Sequence, residues 1–143
     1  MKTTLRILAL MMVAVLLVGA LAACAPNKDP DKAVEALKKN GYTAGKTSGN
    51  VSNAVSALFG GEADIDCYVS GMKTVTKDGK DEVIAVSIVY YKTTDAAKEA
   101  YKSLKEEYDK EKEKDADSVK DITIGRSGKM VYSGNKEAVK AAR

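Results

Sequence analysis

The sequence predicts an α+β fold, an antiparallel sheet of about four strands with helices packed on it. Three stretches carry that expectation. From Ala63 to Ser70 the chain alternates, with Ala63, Ile65, Cys67 and Val69 on one side and Asp64, Asp66, Tyr68 and Ser70 on the other, the period of a half-buried strand. Val83 to Tyr91 is apolar on nearly both faces, as befits a strand inside a sheet. Ala97, Ala100, Tyr101, Leu104 and Tyr108 recur at the spacing of a helix with one buried face.

Taken in order, the chain opens on Lys2 and Arg6, and an apolar run follows from Ile7 to Ala23. A basic start, an apolar stretch and small residues at its end form the layout of a secretory signal peptide. Leu21-Ala22-Ala23-Cys24 closes the run and resembles the lipobox of bacterial lipoproteins. The resemblance implies that the Cys24 thiol receives a diacylglycerol and that the peptide is cut just before it. Residues 1–23 would then be a signal peptide, 24–28 the lipidated Cys and a short tether, and 29–143 a single domain. The protein would sit on the extracytoplasmic face of the cell membrane, held by the lipid on Cys24. An uncleaved membrane helix is the competing reading, since the run reaches the short end of the roughly 17–25 residues that span a bilayer. Gly19 and the small residues near the end weigh against it. Ala20-Leu21-Ala22 also fits ordinary secretion, but neither alternative explains a Cys at this spacing. Ala25 to Lys28, as a free tether, would reach at most about 15–18 Å.

Asp29-Pro30-Asp31 opens a helix, with a side-chain cap, a proline suited to the first turn and an acid at the positive end of the dipole. Asn40-Gly41 ends it, which lets Tyr42 pack back on Leu37. Residues 42–47 read as a turn holding a short edge strand. Gly45-Lys46-Thr47 matches the end of a phosphate-binding loop, but Asn40 stands where that loop needs glycine, and a helix rather than a strand precedes it. Val51, Ala54, Val55, Leu58 and Phe59 predict a short amphipathic helix stopped by Gly60-Gly61. After the alternating strand, Lys77-Asp78-Gly79-Lys80 predicts a hairpin turn. Thr93-Thr94-Asp95 caps the long helix, whose end, from Asp109 to Lys114, reads as a solvated face of mixed charge. Val119, Ile122 and Ile124 predict a strand, Arg126 to Lys129 a turn, and Met130 to Tyr132 a returning strand. Asn135 then caps a terminal helix from Lys136 to Ala142. With the 42–47 strand counted, the middle of the chain has the β-α-β-β-α-β order of a ferredoxin-like fold with extra terminal helices. Residues 128–140 are loosely similar to the tail of small lipoproteins of Gram-positive bacteria, a likeness that brings no active site with it.

Composition narrows the chemistry. The net charge is +3, of which Lys2 and Arg6 supply two, so no nucleic-acid partner is expected. There is no His, which removes the commonest general base and transition-metal ligand together. Cys67 is the only cysteine besides Cys24; pointed at the core, it reads as a small hydrophobe rather than a nucleophile. Glu62, Asp64 and Asp66 are the one carboxylate cluster worth weighing as a site. Neighbours two apart on a strand stand about 6.5–7 Å apart, the separation used by inverting glycosidases, but those enzymes flank a bond across a cleft. A weak divalent-cation site is more credible there than a glycosidase, since calcium takes several oxygen ligands, but a plain solvated face is the expectation. No metal and no cofactor is therefore expected. The expected function is a membrane-anchored, non-catalytic binding or interaction module, its partner an envelope protein or polymer, with Asp64, Asp66, Tyr68 and Ser70 as its contact surface. The alternative is a small envelope hydrolase that uses Asp64 and Asp66 without histidine.

Overall fold

The computed structural model describes residues 25–48 and 64–143; the expected signal peptide, Cys24, the helix expected over 51–59, Glu62 and Ala63 lie outside them. Among the described residues three α-helices pack on a five-stranded sheet. The elements are α1 (Pro30–Lys39), β1 (Thr43–Ser48), β2 (Ile65–Lys77), β3 (Lys80–Tyr91), α2 (Thr94–Lys114), a 3-10 turn (Ala116–Val119), β4 (Ile122–Ser127), β5 (Met130–Asn135) and α3 (Lys136–Ala141). The strand order is β1-β2-β3-β5-β4 with every neighbouring pair antiparallel. The fold is thus α+β, with five strands rather than four. It is not ferredoxin-like. That arrangement keeps the first two strands apart with a third between them, whereas β1 here pairs directly with β2, from Thr43 opposite Met72 to Ser48 opposite Cys67.

Local chemistry sets the element ends. The Asp29 carboxylate accepts from the amides of Asp31 and Lys32, at 3.0 and 3.3 Å, and so satisfies two of the unpaired donors at the start of α1. At the other end Gly41 takes a φ of 81°, the amide of Tyr42 donates to Leu37 O and that of Gly41 to Lys38 O. This double closure is the Schellman motif, and it folds Tyr42 onto Leu37 as expected. Asp78 and Gly79 both have positive φ, 53° and 75°, the two-residue turn whose twist suits a hairpin. Thr93 Oγ1 accepts from the Ala96 amide at 3.1 Å and caps α2. The charged end of α2 stays helical through Lys114 with exposed ion pairs Lys105–Asp109 and Glu111–Lys114, each worth only about 0.3–0.5 kcal/mol.

Val119 lies not in a strand but in the 3-10 turn, fully buried. Asn135 stands at the N-cap of α3 but makes no cap bond; its Oδ1 accepts instead from the Ala85 amide at 2.9 Å, which carries the β3–β5 pairing one step further.

The sheet is covered on both faces. On one, α1 and α3 bury Ala33, Leu37, Ala138, Val139 and Ala142 against Cys67, Val69, Val86, Ile88, Tyr90, Met130 and Tyr132. On the other, α2 buries Ala97, Ala100, Tyr101 and Leu104 against Ile65, Val89, Tyr91 and Val131. β3 therefore contributes to both cores, Ile88 to one and Val89 to the other, which explains its two apolar faces. Beyond Met72 and Val86 neither β1 nor β5 accompanies β2 and β3. From Lys73 opposite Ile84 to Lys77 opposite Lys80 they run on as a two-stranded arm, with Thr76 Oγ1 donating across it to Asp81 Oδ1 at 2.7 Å.

Candidate functional site

The expected contact surface lay on β2, and the structure splits it. The register of β2 on β3 shifts between Ile65, opposite Tyr91, and Cys67, opposite Tyr90. Asp66 is the extra residue of this β-bulge, which turns Ile65 onto the α2 face while Cys67 and Val69 face the other core. The even alternation of 63–70 thus does not hold through Asp66. Asp64 stands just before the strand, its carbonyl accepting from the Lys92 amide at 2.7 Å. Asp64 and Asp66 are both exposed. They do not share an uninterrupted strand face with Tyr68 and Ser70.

Tyr68 and Ser70 do share one. Tyr68 is half-buried against the α2 core, and its hydroxyl lies 3.0 Å from Ser87 Oγ. Tyr68, expected on the contact surface, is thus tied to β3 through its hydroxyl. Pairing sets Ser70 opposite Ser87 and Ser87 opposite Ser133, a row of three hydroxyls across β2, β3 and β5. Ser133 is 1% exposed and its Oγ has no hydrogen-bond partner among the described residues. An unmade bond on a buried hydroxyl costs about 1–3 kcal/mol. Ser133→Ala is expected to leave stability unchanged or raise it by about 1 kcal/mol, read as the urea midpoint. Two residues along β2 from this row Met72, 51% exposed, is the single large apolar side chain on the described surface.

Cys67 is buried, 3% exposed. Burial, with Asp66 nearby, pushes its thiol from 9.0 up to about 11, away from the thiolate that a nucleophile needs. Lys46, which follows Gly45 in β1, meets Asp31 of α1 at 2.6 Å, so the residues that imitate a phosphate loop form a strand pinned to a helix. Among the described residues no three His, Cys, Asp or Glu side chains gather as a metal site.

One cluster had no sequence signal. Lys73, on the arm, reaches Glu137 of α3 at 2.5 Å and lies 4.6 Å from the centre of the Tyr42 ring. Three segments far apart in the chain meet there, and their spacing follows no period. The charge pair is solvated on its Glu137 side, so the cluster joins the arm to α3 with modest energy.

Burial also raises the hydroxyls of Tyr90, Tyr91 and Tyr101 above their usual 10.0. In the unfolded chain these groups and Cys67 ionise at their ordinary values, whereas the folded protein resists. Stability is then fully present below about pH 9 and falls as pH rises through 9 to 11 and beyond. The melting temperature is expected to be nearly level from about pH 6 to 8, with no histidine to titrate there, and to drop steeply above about pH 10. A fall between pH 6 and 7 would contradict this.

Comparison with protein-family models, with curated proteins and with solved structures finds no match for the chain.

Proposed function

We propose that the protein is a lipid-anchored, extracytoplasmic module of the cell envelope that binds a partner rather than turning over a substrate. The observation that carries the anchoring is Leu21-Ala22-Ala23-Cys24 at the end of an apolar run with a basic start. Among the described residues no helix is long and apolar enough to cross a membrane. The binding half draws support from the chemistry of the surface. Asp64 and Asp66 are exposed on either side of Ile65 at a bulge, Tyr68 is occupied by Ser87, and the one buried thiol is held protonated. Met72 beside Ser70 offers an apolar point among hydroxyls, a combination suited to contact with an envelope protein or polymer.

Cell fractionation tests the anchoring. Wild type is expected in the membrane fraction and Cys24→Ala is expected to lose all diacylglycerol-dependent retention. Equal membrane retention of the two would defeat the reading. Turnover of an envelope polymer by the purified protein, abolished by Asp64→Asn or Asp66→Asn, would establish the hydrolase instead.

A further inference from the structure

The stretch expected to be a free tether is part of the domain. Pro26 is buried and Ala25 packs against the core beneath α1 and α3. The Asn27 amide donates to Ala142 O at 2.8 Å, and Asn27 O accepts from the Tyr90 hydroxyl at 2.7 Å. Asn27 Oδ1 in turn accepts from the Asp29 amide at 3.0 Å, which joins the segment to the start of α1. Residues 25–29 are thus a strap held by α3, by β3 and by α1. Correcting for it, the reach from a lipid on Cys24 to the first fixed backbone shrinks from about 15–18 Å to a residue or two, at most ~7 Å.

We propose that the domain seats directly on the lipid headgroup layer through the surface around this strap, Asn27, Lys28 and Arg143, and stands with the β2–β3 arm away from the membrane. The proposal rests on the lipid-anchored reading above. It follows from where the chain leaves the fold: an anchor next to a strap bonded through both the N–H and the C=O of Asn27 restricts how far the body can rotate. Lys28 and Arg143 are exposed there, and cations at a headgroup surface are attracted to its phosphates. The turn at Asp78 and Gly79 closes β3 ten residues from Tyr90, about 33 Å along the strand. Along β3 the arm lies at the end opposite Tyr90, and Met72, opposite Ala85, lies between the two.

The test couples the mature chain, Cys24–Arg143, to a maleimide lipid through Cys24 in phosphatidylcholine–phosphatidylglycerol vesicles, with Cys67→Ala removing the second thiol and a melting curve confirming the fold. A fluorescent amino acid replaces either Lys28 or Lys80, and a headgroup-spin-labelled lipid quenches it. Quenching at position 28 is expected to exceed that at position 80 at least fivefold. About 20 Gly/Ser residues inserted after Cys24 should erase the difference. Equal quenching without the insert, or a difference that survives it, overturns the proposal. Because the lipid is attached chemically, this outcome is independent of whether cells acylate Cys24. A failure of acylation in cells defeats the anchoring, and a failure here defeats the seating alone.

Discussion

Ile88→Ala is expected to destabilise the protein by about 2–5 kcal/mol, the cost of removing most of a fully buried aliphatic side chain and leaving a cavity. Ile88 is 0% exposed in the middle strand of the sheet, between β2 and β5, and packs in the core under α1 and α3. Its neighbours are set from both sides: Val69 opposite on β2 and Tyr132 opposite on β5. A strand paired on both edges cannot shift to refill the space, which places the loss in the upper part of the range. Urea unfolding reads it as a lower midpoint at unchanged slope. A loss below about 1 kcal/mol would mean that β3 does not occupy the centre, since such values belong to surface positions.

Gly134→Ala is the second large effect. Gly134 lies on β5 opposite Val86, and a Cβ added there would overlap the Ala85 carbonyl oxygen and stand 2.6 Å from the Val86 Cα. Both are backbone atoms and neither can swing aside, so β3 and β5 must separate at the rung where Asn135 takes over the pairing. Overpacking of this kind costs typically 1–3 kcal/mol where side chains can yield; against backbone the expected loss is at least about 3 kcal/mol. Gly45→Ala is the matched control, because a Cβ on Gly45 meets nothing within 4 Å; it should change stability by less than about 0.5 kcal/mol. Comparable losses for both would show that the tight β3–β5 approach is not what Gly134 serves.

Much of the fold could be read from residues whose signal is local. Asp29 and Gly41 bound α1, Asp78-Gly79 makes the hairpin, and Thr93 starts α2, each through bonds that span only a few residues. The double apolarity of 83–91 located the central strand because both its faces are covered. What escaped is long-range or breaks the period. Asp66 looks like one more alternating position, yet as the bulge residue it turns Ile65 to the face opposite Cys67 and Val69. Asn135 carries the residue type of a helix cap, but the Ala85 amide, fifty residues away, competes for the same oxygen and wins. The place of β1 beside β2 depends on pairing across a long connection, so the element order alone suggested a different topology. The candidate surface suffered most. Asp64 and Asp66 are exposed as expected, but the hydroxyl of Tyr68 belongs to Ser87, and the row Ser70, Ser87, Ser133 spans three strands that no local pattern links. The strap at Asn27 is of the same kind, since its partners are Tyr90 and Ala142.

Lipidation of Cys24 is tested most directly by mass spectrometry of the N-terminal peptide of the protein purified from bacterial membranes. A mature chain that begins at Cys24 and carries a thioether-linked diacylglycerol is the predicted result, with the modification lost in Cys24→Ala. A mature N-terminus at any other residue, or an unmodified Cys24 thiol in the membrane-bound protein, would contradict it.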